Sequence, residues 1–577
     1  MEIKKKENNN ELKENNNEIK QTRRDVPPTY IFALGGLGEV GKNMYVVEQG
    51  NEIWIIDAGI KFSSEISIEG VIPSFDWLEK NNNRIRGLII THGHEDHIGC
   101  VPHLLNKVKI PKIYAGRIAA NLIWNKMNEK STIKPKLEII TNKSKINTLN
   151  FKIEFFNVNH SIPDCLGVHF TSKNGTIVHT ADFKFDFSPV GARADLFKMA
   201  DYGNKGVTIL LSDSTNAQSK DFSLSESTVS ETISEIVNAA KGRVIIATFA
   251  SNVFRVREII NIALKSNRKI LVFGYSMDKV VKISRKIKYV NASDDLFVSP
   301  KEIKNYDDNK ILVISTGTQG EELASLSKMA HRTHKDISLR KEDTVIFASS
   351  AIPGNFAAVE NVTNRLIKIG CKVYNNKNYP GVHASGHGGL QEQLLMINLL
   401  KPIYFFPIHG ETAMQIQHGK TAVKSKLLKP ENIFILSNGE KLKMENGIVE
   451  KSNKISVEDI YVDDTNLDGQ SLKVINDRNK MSENGVILIN VGINSKQNKI
   501  IIKPEIISKG VIHEESNSEL FKRVKAVAEK KLLEYYKHNS KITFNGIKNT
   551  IKLTTERVFF EEKNINPIVI PIVLNIN

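Results

Sequence analysis

Nine residues, Thr-His-Gly-His-Glu-Asp-His-Ile-Gly from Thr91 to Gly99, restrict the fold of this chain more than any other feature. The run before them, Ile-Arg-Gly-Leu-Ile-Ile (85–90), is apolar enough for a buried strand. The run after them, Ile98 to about Val108, reads as a helix packed behind it. His92, His94, Asp96 and His97 therefore sit in a strand-to-helix turn. Three imidazoles and a carboxylate within six residues face one point only from such a turn, because a regular strand or helix would splay them. Imidazole and carboxylate are ligands of a zinc-type cation. Four on one turn over-supply a single catalytic ion that must keep an open position, so the pattern suits two cations.

A dinuclear site needs further ligands from later in the chain. His160 closes the run Phe-Phe-Asn-Val-Asn-His, Asp182 follows Thr-Ile-Val-His-Thr-Ala, and His409 closes Ile-Tyr-Phe-Phe-Pro-Ile-His. Each alone is an ordinary strand-terminal residue. As a set, after the first turn, they predict one cluster.

The pattern of elements between these ligands changes along the chain. From Thr29 to about Asn216, short strands alternate with Gly-rich turns. Between about Ser223 and Asn378, apolar strand runs alternate with helical segments, which predicts a parallel α/β sheet with crossovers. Histidines and glycines then return in Gly-Val-His-Ala-Ser-Gly-His-Gly-Gly (381–389) and Pro-Ile-His-Gly-Glu (407–411). The middle span thus reads as a domain inserted into the first. The expected division is a disordered tail over 1–28, a first domain over 29–222 that returns over 379–450, and an insertion over 223–378. A polar linker over 451–470 and a C-terminal α/β module over 471–577 complete it.

The 577 residues exceed one ordinary core. Three cysteines, Cys100, Cys165 and Cys371, are too few and scattered for a disulfide framework. This fits a reducing, cytoplasmic setting. No apolar run is long enough to span a bilayer, so no membrane partner is expected. The net charge of +16 permits a polyanionic partner, and AT-rich coding, which favours Lys, Asn and Ile, explains most of the excess equally well. Lys241 to Lys310 holds 15 basic and 7 acidic residues, a local +8, against about +1 for residues 1–26. That concentration predicts a phosphate-tracking face, with solvated helix faces as the alternative.

His-x-His-x-Asp-His followed by His160, Asp182 and His409 resembles the metallo-β-lactamase superfamily. That resemblance implies an αββα sandwich with metals at one edge. His92, His94 and His160 would hold one zinc ion, Asp96, His97 and His409 a second, and Asp182 would bridge them, with manganese as an alternative metal. The inserted α/β domain resembles the β-CASP insertion of nucleic-acid-processing members, with Asp213 in Ser-Asp-Ser-Thr and His383 and His387 in His-Ala-Ser-Gly-His. Several strings, among them Ala-Leu-Gly-Gly-Leu-Gly-Glu-Val-Gly-Lys-Asn-Met, Val-Asn-His-Ser-Ile-Pro-Asp and Ala-Asp-Phe-Lys-Phe-Asp, are similar to the bacterial ribonuclease J family. So is the C-terminal module, and the likeness spans residues 29–577. Phe254 departs from it, standing where that family more usually has His.

The resemblance implies a hydrolase of RNA phosphodiester bonds with 5′-to-3′ exonuclease and endonuclease action in mRNA decay and rRNA maturation. Single-stranded, 5′-monophosphorylated RNA is the expected substrate, with a dimer or tetramer and an RNA-degradation assembly as further partners. From the chemistry, Asp96 would orient the attacking water, and His387 would act as general acid, held and charged by Asp213. His383 and Ser385 would donate hydrogen bonds to a neighbouring phosphate. Ser251, Asn252 and the loop His383, Ala384, Ser385, Gly386 and His387 would receive the substrate's 5′ end. Three rival readings remain: a small-molecule hydrolase of the same fold, an RNA-binding scaffold with a dead site, and a DNA-repair nuclease.

Overall fold

The computed structural model describes residues 26–62, 68, 70–318, 324–351, 355–463, 466–470, 472–494, 497, 499–539 and 542–576. The expected tail lies mostly outside the described residues, as does part of Ser-Thr-Gly-Thr-Gln-Gly-Glu (315–321).

Two sheets face each other across the main core. The first has eight strands, in spatial order Ile448–Lys454, Glu440–Glu445, Thr29–Gly35, Met44–Gln49, Glu52–Ile56, Ile85–Ile90, Ile113–Ala115 and Leu137–Ile139. The second has six: Lys145–Asn147, Lys152–Asn157, Leu166–Ser172, Gly175–His179, Val207–Asp213 and Pro402–Ile408. Ile31, Val47, Trp54 and Ile89 of the first meet Phe155, Val168, Ile177, Leu211 and Phe406 of the second. On the outer side of the second sheet, Met199 and Tyr202 of helix Leu196–Lys205 pack with Met396 and Leu400 of helix Leu390–Leu400. This is the αββα sandwich, and its central strands, such as Met44–Gln49, Glu52–Ile56 and Val207–Asp213, are buried along their whole length because both faces are covered, whereas edge strands such as Lys145–Asn147 and Ile448–Lys454 are largely exposed.

The chain leaves the second sheet after Asp213, rejoins the sandwich with helix Leu390–Leu400 and re-enters the sheet at Pro402. Pro402–Ile408 lies parallel to Val207–Asp213, with Asp213 opposite Ile408. A parallel pair needs a crossover, and here the crossover contains the whole inserted domain. The insertion is a five-stranded, all-parallel sheet in the order Lys269–Phe273, Ile311–Ser315, Val244–Ala247, Thr344–Phe347, Lys372–Tyr374. Helices Glu226–Ala239, Val253–Lys265 and Tyr275–Lys286 cover one face, and Ser325–Ala330 and Phe356–Ile369 the other.

Three arginines of the basic stretch expected as a phosphate-tracking face are buried. Arg243 pairs with Asp343 at 2.5 Å, with both side chains buried. Arg255 is fully buried and forks onto Glu226 at 2.8 and 2.9 Å. Arg268 donates to the carbonyls of Gly242, Ile311, Val237 and Ala240. These three guanidiniums bind the insertion's own strand ends and helices. Guanidinium carries five donors in a planar fork and meets such needs. Exposed lysines of the stretch, such as Lys265, Lys286 and Lys288, remain for solvent or phosphate.

A second compact unit comprises Phe62–Val71 and Ile460–Asn577. Its sheet runs Lys499–Lys509, Val486–Asn494, Ile568–Asn575, backed by helices Ser518–His538 and Phe544–Lys563. A further helix, Leu472–Asn484, was not legible in its polar sequence. The span 451–470, expected as a linker, contains the end of Ile448–Lys454 and the hairpin strands Asp459–Asp463 and Asn466–Gln470. Backbone pairing satisfies a polar strand as well as an apolar one, so composition misleads there. Among the described residues, no helix is long and apolar enough to cross a membrane.

Candidate metal and active site

Strand ends build the site. Asp182 lies just beyond Gly175–His179, Asp213 ends Val207–Asp213, and His409 follows Pro402–Ile408. These three strands are parallel neighbours, so all three residues emerge at the same sheet edge. His92 follows Ile85–Ile90 from the facing sheet, and His160 follows Lys152–Asn157. His94 is the N-cap residue of the short helix Glu95–Ile98, which carries Asp96 and His97.

Neighbouring backbone clamps that helix. Asn43 N donates to the Asp96 carbonyl at 3.0 Å, Ala58 N to the His97 carbonyl at 2.8 Å, and Ile60 N to the Glu95 carbonyl at 3.1 Å. At Gly59 a Cβ would overlap the Asp96 carbonyl, so only glycine allows this approach. Asp57, which the sequence reading passed over, holds the cluster from beneath. It accepts from Thr91 N at 2.8 Å and Thr91 Oγ1 at 2.9 Å, and from His97 Nδ1 at 2.8 Å. Burial pushes the Asp57 carboxyl up, and His97 opposes that.

Outer partners fix which nitrogen of each imidazole carries its proton. His160 Nδ1 lies 2.7 Å from the Gly386 carbonyl, which can only accept, so Nε2 keeps its lone pair. His94 Nε2 lies 3.3 Å from the Ser251 carbonyl, which leaves the lone pair on Nδ1. Thr91 Oγ1 gives its proton to Asp57 and accepts from His92 Nδ1 at 3.0 Å, which leaves the lone pair on His92 Nε2. The three lone-pair nitrogens lie together: His94 Nδ1 is 3.1 Å from His92 Nε2 and 3.0 Å from His160 Nε2. Three acceptors so close repel one another unless a cation lies among them, and tetrahedral zinc with bonds near 2.0–2.1 Å needs ligand spacings of about 3.3 Å. Burial holds His92, His94 and His160 below the usual histidine range. These residues fit a divalent cation.

A second group fits one as well. Asp96, His97, Asp182 and His409 place one ligand atom each within 4.8 Å of one another. His97 Nε2 is 3.2 Å from Asp182 Oδ2 and 3.4 Å from Asp96 Oδ2. His409 Nδ1 meets Asp182 Oδ1 at 2.8 Å, and its buried Nε2 has no hydrogen-bond partner and lies 3.4 Å from Asp96 Oδ2. Asp182 Oδ2 also lies 3.7 Å from His92 Nε2 and 3.8 Å from His160 Nε2, so one oxygen faces both groups. Burial works against charge on Asp96 and Asp182, yet His97 and His409 bring both below the usual carboxylate range. Burial likewise opposes charge on His409, and Asp182 outweighs it, raising that histidine to about 10.

His387 stands beside this pair of groups. Its Nδ1 is 2.7 Å from Asp213 Oδ2, and its Nε2 is 4.0 Å from Asp182 Oδ2. Burial opposes its charge, but the Asp213 carboxylate prevails and raises it above the ordinary histidine value. Asp213 Oδ1 is held by Thr215 N and Thr215 Oγ1 at 2.9 and 2.7 Å. At Gly386 a Cβ would press on the His160 ring at 2.8 Å.

The expected substrate residues divide. Ser251 is exposed, whereas Asn252 is buried and caps helix Val253–Lys265 by accepting from Arg255 N. Ser385 Oγ donates to the His387 carbonyl and accepts from His387 N, so the hydroxyl already serves its own turn. His383 is driven down to about 3 by burial, and its buried Nδ1 lacks a partner. Ala384 is buried in the insertion's core. Phe254 packs against Gly191, with the Arg257 guanidinium 5.6 Å from its ring centroid.

Sequence profiles match four segments. Residues 37–212 match the metallo-beta-lactamase superfamily and 241–366 the ribonuclease J beta-CASP domain. Residues 375–436 match the Zn-dependent metallo-hydrolase RNA specificity domain and 473–576 the ribonuclease J C-terminal domain. The chain is 41% identical over 551 residues to Ribonuclease J of Mycoplasma genitalium, covering 94% of this chain and 96% of that protein. It is 39% identical to Ribonuclease J 1 of Streptococcus pyogenes, covering 94% and 97%, and 34% identical to Ribonuclease J2 of Bacillus subtilis, covering 95% and 98%. A solved protein of unknown function from Enterococcus faecalis shares the fold, with a TM-score of 0.50 and 12% identity over 72% of this chain and all of that one.

Proposed function

From the premise that this chain belongs to the ribonuclease J family, we propose that it is a two-zinc ribonuclease that hydrolyses single-stranded, 5′-monophosphorylated RNA. Exonuclease action from the 5′ end and endonuclease action in mRNA decay and rRNA maturation accompany that reading. The observation that carries the metal assignment is the meeting of three imidazole lone pairs about 3.0–3.1 Å apart at His92, His94 and His160.

His92, His94 and His160 would hold one cation and Asp96, His97 and His409 the other, with Asp182 facing both. Bound there, divalent cations neutralise the scissile phosphate and acidify the attacking water. Manganese would fit the same nitrogen and oxygen donors. Asp96, the most exposed carboxylate of the cluster, orients the water. Asp213 fixes the His387 ring through Nδ1, which leaves Nε2–H directed toward the cluster to protonate the leaving oxygen. Backbone around Gly386, with His383, Ala384 and Ser385 next to it in the chain and with Ser251 and Asn252 from the insertion, where the Ser251 carbonyl lies 3.3 Å from His94 Nε2, receives the RNA's 5′ end.

We assign the cytoplasm as its location and a dimer or tetramer as its state, with an RNA-degradation assembly as partner. The domain limits proposed are 29–222 with 379–450, 223–378 and 471–577. The test incubates the protein with 5′-phosphorylated single-stranded RNA and zinc or manganese. Released nucleotides or fragments, lost in His94→Ala, support the reading. No cleavage, with hydrolysis of thioester or lactam substrates instead, refutes it.

A further inference from the structure

Two aromatic rings next to the active-site loops stand in water. Phe187 is 63% exposed and Phe222 is 47% exposed, with ring centroids 6.4 Å apart and planes tilted by 45°. Leu224, 45% exposed, lies two residues beyond Phe222. Large exposed rings forgo the gain from burial and mark contact surfaces when they cluster.

The backbone beneath them is fixed. Glu392, fully buried, accepts from Phe185 N at 2.8 Å, Ser223 N and Ser223 Oγ at 2.8 Å, and Gly389 N at 2.9 Å. Asp186 accepts from Ser188 N, Ser225 Oγ and Glu226 N. Lys184 Nζ donates to the Leu224 carbonyl at 2.8 Å. Phe187 and Phe222 are thus surface rings on a rigid base.

That base is also the frame of the reactive cluster. Phe185 is three residues from Asp182, and Gly389 is two from His387. Gly388 N donates to the Phe183 carbonyl at 2.6 Å, and the carbonyl of Asp221, the residue before Phe222, abuts Gly389. Three residues past Phe187, the Val190 carbonyl accepts from Arg257 of the insertion, so the rings lie at the seam between the sandwich and its insertion. Lys220 and Asp221, which precede Phe222, carry opposite charges, and Ser188, Ser225 and Ser227 hydrogen-bond to one another. Lys184 and Arg257 are engaged by the Leu224 and Val190 carbonyls, whereas the flat face of a base finds two exposed rings.

We propose that Phe187 and Phe222 form a stacking platform for an unpaired nucleobase of the RNA, a few nucleotides from the scissile bond. This deepens the ribonuclease reading and rests on it. Stacking on such rings is worth about 1–3 kcal/mol per base, or roughly five- to 150-fold in affinity.

The experiment measures KM and kcat of the wild type, Phe187→Ala and Phe222→Ala on one 5′-phosphorylated single strand and on a series carrying one abasic nucleotide at successive positions. Expected is one position whose abasic form raises the wild-type KM roughly fivefold or more, with the penalty absent in both variants because they already carry it. Unchanged KM in the variants, or an abasic penalty that persists in them, overturns the platform while leaving the ribonuclease reading intact. A changed sedimentation coefficient with unchanged RNA kinetics also overturns it, in favour of a protein contact. Absence of any RNA turnover by the wild type overturns both.

Discussion

His387 Nδ1 lies 2.7 Å from Asp213 Oδ2, although 174 positions of chain separate the two residues. The register of Val207–Asp213 beside Pro402–Ile408 brings the chain back to where it left. The contact directs the other ring nitrogen toward Asp182, where a leaving oxygen would need a proton. His387→Ala should therefore cut kcat by a factor on the order of 10² or more, with metal content unchanged. Asp213→Asn should follow the same pattern, since Thr215 N and Oγ1 hold the amide oxygen and turn its NH2 toward His387 Nδ1, which removes the charge that raises the histidine. Elemental analysis beside single-turnover kinetics checks this, and wild-type rates in His387→Ala would remove it from the mechanism.

Asp57 sets the tautomer of His97. In Asp57→Asn the amide oxygen could still accept from Thr91 N, but one hydrogen-bonding face of the side chain becomes a donor. The NH2 then stands where Oδ2 accepted from both His97 Nδ1–H and Thr91 Oγ1–H, so both lose their acceptor. Loss of such an outer partner costs about 10- to 100-fold in metal affinity. Cobalt titration should show one weakened and one nearly normal site, and equal affinity for both sites in variant and wild type would contradict the account.

Gly386→Ala should damage the His92–His94–His160 group. Its new methyl would meet the His160 ring, whose Nδ1 is bound to the Gly386 carbonyl. Either the ring turns or the loop retreats, and His387 moves with it. Expected is loss of one ion per chain together with turnover, at a melting temperature near that of the wild type. Full occupancy with normal turnover would show that the loop yields.

Two histidines away from the metal groups predict acid lability. Burial lowers His418 to about 3 and His169, stacked on Tyr202, to about 4. An unfolded histidine titrates near 6.5. Between these values the unfolded chain takes up a proton that the folded chain refuses. Stability is thus intact above about pH 6.5 and falls as the pH drops toward 4, by up to about 3 kcal/mol for His169. Urea unfolding from pH 7.5 to 4.5 should show this slope, and His169→Phe, which keeps the stack, should flatten it. An identical slope in the variant would assign the lability elsewhere.

Much of the cluster could be read from the sequence because each candidate ligand beyond the first turn closes an apolar run: His160, Asp182 and His409 all follow strands that reach one edge. Asp57 and Asn43 escaped notice because a polar residue after a strand looks like any turn, and only the folded chain shows them beneath His97 and Asp96. Charge counting misjudged Arg243, Arg255 and Arg268, since composition does not distinguish a guanidinium facing solvent from one tying carbonyls together. The polar end of Ile448–Lys454 carries no apolar signal, and the Ile-Tyr-Val of Asp459–Asp463 is a short run between aspartates, so the segment resembled a linker.

The most direct test of the metal account is an anomalous difference map from crystals of the protein as isolated, with data on both sides of the zinc and manganese edges. The account predicts two peaks, one among His92, His94 and His160 and one among Asp96, His97, Asp182 and His409. A map without peaks there, from protein that still cleaves RNA in the presence of a chelator, would contradict it.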